Sequence, residues 1–221
     1  MKALRFILFA TLLATGAAAA ATVASFDDIT YWVGTGPNRA ALIIDWNDNL
    51  PAGGASGESL AWGFRWSAGA SPTGIDMIRA IADADPRLQL SIVPRGLGGT
   101  PFDTVFGLYY DLDGDGGTPT FDPVGEEGSS SDSSDHFAEG WIIKGYWAYF
   151  TGPSGQTQPT WTLSLGGAHL RTLTNNAWDG WSFDDFSGSS SPPPGLAVAA
   201  LPEPGCGLLL VLGAAMLLRR K

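Results

Sequence analysis

Cysteine is nearly absent from this chain. Its 221 residues hold one, Cys206, which lies inside an apolar run near the C-terminal end. No disulfide can form within the body of the chain, which must cohere by packing, with or without a bound metal. A lipid-accepting cysteine behind a leader is excluded as well, because none stands near Ala21. Positive charge is scarce: residues 22–201 carry 21 Asp and Glu against 7 Lys and Arg, a formal charge of −14. Such a surface repels nucleic acid and anionic headgroups, so no nucleic-acid partner is expected, and it attracts divalent cations. Histidine occurs twice, as His136 and His169. The chain has no G-x-S-x-G and no H-E-x-x-H, and "GLGGT" at 96–100 brings no lysine to meet a phosphate. No catalytic residue is assigned, and the chain reads as non-enzymatic. Also missing is an uninterrupted apolar run of the roughly 20 residues that cross a bilayer comfortably.

Both ends nevertheless carry addressing signals. "MKALRFILFATLLATGAAAAA" has Lys2 and Arg5, an apolar run from Phe6 to Leu13, and Ala-x-Ala cut points around Ala18 to Ala21. That order is a secretory signal peptide, so residues 1–21 are set aside from the fold and the general secretion machinery is an expected partner. At the other end, Gly205 to Leu218 are 14 residues without charge. As a helix they reach about 21 Å, against a hydrocarbon core of roughly 30 Å. Pro202 and Pro204 prevent the helix from extending back through Leu196–Leu201. Arg219, Arg220 and Lys221 then hold the terminus on the cytoplasmic side. So short a membrane helix suits a tail that is retained briefly and then cut.

The tripeptide Pro202-Glu203-Pro204, the short Leu/Gly/Ala-rich helix and the terminal Arg219-Arg220-Lys221 cluster resemble the PEP-CTERM sorting signal of Gram-negative bacteria. The resemblance covers residues 201–221, and Cys206 stands where small or hydroxyl residues are commoner. It implies recognition and cutting near the tripeptide by a membrane-embedded exosortase. The released protein would pass to the cell surface or an extracellular exopolysaccharide matrix. "ALIIDWND", "LAWGFRW", "DMIRAIADADPRL" and "WDGWSF" also resemble an exported bacterial domain that accompanies such tails, across much of residues 26–186. That second resemblance implies one domain and no particular activity.

The exported part reads as mainly β. In "ESLAWGFRW" (58–66), Leu60, Trp62, Phe64 and Trp66 alternate with smaller or polar residues, as a half-buried strand requires. Further strands are expected at 40–46, 88–93, 103–111, 140–150, 160–165 and 177–183, with Gly and Pro in most gaps. One helix interrupts them: Thr73 and Asp76 form a capping box, Ile75, Ile78, Ile81 and Ala82 mark its apolar stripe, and Pro86 ends it. Seven or so strands with one short helix point to a single β-sandwich or jelly-roll-like domain over residues 22–186. "GEEGSSSDSSD" (125–135) is expected to be a mobile surface loop, and the Ser/Pro-rich residues 187–201 an extended linker ahead of the sorting signal at 202–221.

Chemistry gathers in "DLDGDGGTPTFD" (111–122). Asp111, Asp113 and Asp115 crowd three carboxylates into five residues, which repel unless a cation neutralises them. A hard cation such as calcium takes six to eight oxygens. The Gly117 carbonyl would supply a fourth ligand and Asp122, at position twelve, would close the site. The loop resembles an EF-hand-type calcium loop with Asp122 where Glu is usual. Strand-like residues before it and Pro119 and Pro123 after it make any bound ion structural. The competing reading is an Asp/Gly-rich turn without metal. "DWNDN" (45–49) reads as a turn rather than a ligand set, adjacent Glu126 and Glu127 do not make an acid–base pair, and two histidines alone make an incomplete metal site. The nine tryptophans are first a core signal. A carbohydrate groove lined by Trp141, Trp147, Trp178 and Trp181 is the alternative reading, that of a carbohydrate- or small-ligand-binding surface module.

Overall fold

A computed structural model describes residues 22–48, 59–97, 100–155 and 157–202, with side chains at 96–101 left aside. The expected signal peptide and membrane helix, together with Glu203, Pro204, Arg219, Arg220 and Lys221, lie outside these residues. Among the described residues no helix is long and apolar enough to cross a membrane.

Among the described residues the fold is mainly β with one α-helix. Two long alternating strands, β2 (Asn38–Asp45) and β3 (Ser59–Trp66), form its centre, preceded by the short β1 (Trp32–Gly34). Helix α1 (Gly74–Ala84) follows, then β4 (Leu88–Leu97) and β5 (Thr100–Tyr110). The short β6 (Pro119–Thr120), β7 (Ser129–Ser130) and β8 (His136–Glu139) lead into β9 (Tyr146–Gly152). Finally come β10 (Thr162–Leu163), β11 (Ala177–Asp184) and β12 (Ala197–Ala199). Seven strands make the large sheet in the order β1-β3-β2-β11-β9-β10, with β12 also on β3. β4, β5 and β8 make a three-stranded antiparallel sheet, and β6 pairs with β7.

Period-two alternation gives the large sheet two apolar faces. Leu42, Ile44, Leu60, Trp62, Trp147, Tyr149 and Trp181 point to one side, where they pack with Ile75, Met77, Ile78 and Ile81 of α1 and with Val105, Leu108 and Tyr110 of β5. Ala41, Ile43, Ala61 and Trp178 point to the other, against Val23, Phe26 and Ile29. Two positions on this second face are glycine because chain lies directly upon them: a Cβ at Gly63 would run into the Trp32 ring, and one at Gly180 into Pro194. Helix α1 begins where its capping box predicts. Thr73 Oγ1 accepts the Asp76 N–H and the Asp76 carboxylate accepts the Thr73 N–H. The apolar stripe then buries Ile75, Ile78 and Ile81.

Three pairings in the large sheet are parallel: β1 with β3, β12 with β3, and β11 with β2. β12 covers Ser59–Ala61 and β1 covers Gly63–Arg65, so the two lie end to end along one edge of β3. Two expectations change here. Residues 187–201 are not a free linker. Ala197, Val198, Ala199 and Ala200 are buried, the Gly195 N–H donates to Asp45 Oδ2 (2.7 Å), and the Thr30 hydroxyl donates to the Ala200 carbonyl (2.8 Å). Small apolar side chains and three ladder positions outweigh the extended bias of the preceding prolines. Nor is 125–135 merely solvated, since it contains β7 and buries Glu126 and Asp135.

Candidate functional site

Strand β5 delivers the acidic loop. Tyr110 ends the strand in the core, and the next residue, Asp111, turns the chain by accepting N–H bonds from Gly114 (Oδ1, 2.7 Å) and Gly116 (Oδ2, 2.9 Å). Gly114 (φ 75°) and Gly116 (φ 93°) occupy the left-handed region that this tight winding requires. Asp113 accepts the Asp115 N–H and Asp115 accepts the Gly117 N–H, each at 3.1 Å. Carboxylate oxygens of Asp111, Asp113 and Asp115 all lie within 4.8 Å of one another. The charge of Asp113 is the largest influence on Asp115 and pushes its pKa above the ordinary carboxylate value.

The fourth expected carboxylate is elsewhere. Asp122 Oδ1 accepts the N–H groups of Val124 (3.2 Å) and Gly125 (3.0 Å), which hold its pKa low, and its own N–H donates to Glu139. It caps a turn of its own. In its stead Asp132 and Asp135 approach from the following loop, with oxygens that group with Asp115 within 4.8 Å. Asp135 is buried and fixed by the Tyr109 hydroxyl (2.6 Å) and the Leu112 N–H (2.9 Å). Gly117 is pressed against this pair, since a Cβ there would strike Asp135 and the Tyr109 hydroxyl. Asp132 and Asp135 stand in a Ser-rich tract that does not mark them as ligands in the sequence. Their three-residue spacing is the only local mark they carry. Asp115 is thus shared by two carboxylate triads, Asp111–Asp113–Asp115 and Asp115–Asp132–Asp135, each a set of hard oxygens of the kind a divalent cation neutralises.

The remaining candidates have structural duties. Asp45 accepts the N–H of Asn47 (3.0 Å), so "DWNDN" does turn the chain, and Asn49 lies outside the described residues. Buried His136 is hydrogen-bonded through Nδ1 to the Asp48 carboxylate (2.8 Å) and stacks on Trp46, whereas His169 stacks on Phe102. Glu127 pairs with Lys144 at 3.0 Å on the surface. Glu126, by contrast, is buried, and its carboxylate accepts four consecutive N–H bonds from Trp141, Ile142, Ile143 and Lys144. Trp147, Trp178 and Trp181 are buried in the two cores, so they offer no open ring for a sugar. Trp141 keeps part of its surface exposed, beneath the Arg95 guanidinium. Pro202 is exposed at the end of the described chain.

Compared with family models, with curated proteins and with solved structures, the chain matches none.

Proposed function

We propose that this is an exported, non-enzymatic structural protein of the cell surface or extracellular matrix, processed at both ends. The signal peptide is removed near Ala21, and an exosortase-type membrane enzyme acts at Pro202-Glu203-Pro204 while the short tail and Arg219, Arg220 and Lys221 hold the precursor in the inner membrane. One observation carries this reading: the folded unit fills the interval between the two signals. Thr22, just behind the expected first cut, bridges Val198, and the carbonyl of Leu201, just ahead of the tripeptide, is held by Arg87. The test is to express the full chain with and without the processing enzyme and fractionate the cells. Release that depends on the enzyme and is lost in Glu203→Ala supports the reading, and equal release in all three cases defeats it.

The finer architecture belongs to the same proposal. The large sheet facing β4-β5-β8 across the α1 core is read as a single β-sandwich. Its three parallel pairings fit a jelly roll poorly, because jelly rolls are antiparallel. A structural calcium ion is proposed at Asp111, Asp113 and Asp115, with Asp132 and Asp135 in the place first given to Asp122 and with the Gly117 carbonyl as a further candidate ligand. Exopolysaccharide is the proposed neighbour of the mature protein. The second reading, a small-ligand or carbohydrate module, is favoured by two adjoining cavities of 310 and 370 Å³ that share Asn47, Phe183 and Asp185. Selective glycan binding that Phe183→Ala abolishes would favour it over a purely structural role.

A further inference from the structure

The chain just ahead of the tripeptide is gripped from both sides. β12 bonds along β3, while on its other edge Thr22 forms an antiparallel bridge with Val198 and the Val23 N–H donates to the Ala197 carbonyl (2.8 Å). Beyond the strand, the Ala200 N–H donates to the Ala61 carbonyl (2.9 Å), Thr30 donates to the Ala200 carbonyl, and Arg87 donates to the Leu201 carbonyl. Partners in an antiparallel bridge stand about 4.5–5.5 Å apart and run in opposite directions. The N-terminal end of Thr22 and the C-terminal end of Val198 therefore face the same way along the bridge. Thr22 and the closing strand β12 thus meet at one edge of the large sheet.

The tether on the tail side is short. Only Pro202, Glu203 and Pro204 separate Leu201 from the apolar run that starts at Gly205. Fully extended, the chain from Leu201 to Gly205 reaches at most about 14 Å. A headgroup layer takes up about 5–8 Å of that. A free linker over 187–201 would have allowed the domain to stand well away from the bilayer, but its last residues, 197–201, are held against the fold. Leu201, at the exit, keeps 42% of its surface exposed.

We propose that this edge, where Thr22 and Leu201 are exposed beside the buried β12, is the lipid-facing surface of the precursor, so that both maturation cuts are made next to each other at the membrane. The inference rests on the sorting reading, because it needs the tail to enter lipid. The occupant is a bilayer surface, since the length of chain beyond Leu201 leaves room for nothing thicker. The opposite edge, β10, is five strand steps away across the sheet, or about 24 Å at roughly 4.8 Å per step.

The test uses the full chain with Cys206→Ser, reconstituted in nanodiscs of zwitterionic phosphatidylcholine that contain a headgroup-nitroxide lipid. A fluorophore is attached through Thr22→Cys in one sample and through Thr162→Cys, on β10, in another. Quenching several-fold stronger at position 22 than at 162, levelled by a 20-residue Gly/Ser insertion between Leu201 and Pro202, is the expected result. Equal quenching at both positions in protein that co-migrates with the discs would overturn the edge-on placement and leave the sorting reading intact. Failure to co-migrate would overturn the sorting reading itself, and the placement with it.

Discussion

Replacing Glu126 by Gln tests how the 140–145 turn is held. Glu126 sits at a left-handed backbone angle (φ 55°), is 4% exposed, and accepts the N–H groups of Trp141, Ile142, Ile143 and Lys144 at 2.8–3.0 Å. Burial acts against its ionised form, but the four N–H donors outweigh burial and hold the pKa below the ordinary glutamate value. Glutamine keeps the volume and one acceptor oxygen while turning the other end into a donor that faces two N–H groups. Hydrogen bonds to a charged group are worth roughly 1.5–3 kcal/mol each. Two are lost, and water regains part of the loss because Ile142 (71%) and Ile143 (65%) are exposed. The expected cost is about 2–3 kcal/mol, or about 4–12 °C in midpoint for a domain of this size. Urea unfolding of residues 22–201 at neutral and acid pH measures it. Because the folded pKa is depressed, the contribution is complete above the unfolded value of about 4.3 and is lost as pH falls through the folded value. The gap between wild type and Glu126→Gln must therefore narrow in acid. A gap under about 0.5 kcal/mol at neutral pH, or one that persists undiminished in acid, would refute the reasoning.

Other outcomes follow from the same contacts. Val198→Asp places an unpaired charge at a buried position of β12 and should cost about 2–4 kcal/mol in urea unfolding; a neutral result would return residues 187–201 to the status of linker. Trp178→Ala should cost about 3–5 kcal/mol through the cavity it leaves, and glycan binding should be unaffected in protein that remains folded. Tyr149→Phe removes the hydroxyl that donates to buried Asp179, whose pKa burial already pushes up, and should cost about 1.5–3 kcal/mol. Excess calcium should raise the thermal midpoint relative to chelator, with the gain reduced in Asp113→Ala and Asp132→Ala and retained in Asp122→Ala. An identical midpoint with and without calcium would remove the cation.

Much of the fold is legible in local pattern. The alternation of Leu60, Trp62, Phe64 and Trp66 gave β3, and Thr73 with Asp76 gave the start of α1, because both signals are short-range and self-contained. Strand direction is not local. Nothing in "AVA" marks β12 as a parallel partner of β3, since that pairing spans more than a hundred residues and is decided by which edge lacks a neighbour. Gly140–Gly145 has the composition of a strand, which predicts an earlier start for β9 than the observed Tyr146. It turns instead because a buried carboxylate 14 residues upstream of Gly140 offers its N–H groups better acceptors than a ladder would. For the cation cluster, spacing found Asp111, Asp113 and Asp115. The choice between Asp122 and Asp132 with Asp135 depended on how the next loop folds back onto Tyr109.

Intact-mass measurement of the protein recovered from the cell surface or surrounding matrix tests the central claim most directly. A chain that begins near Thr22 and ends close to Pro202-Glu203-Pro204, without Arg219, Arg220 and Lys221, is the predicted species. A lasting surface form that still carries the apolar tail and its three basic residues would contradict it.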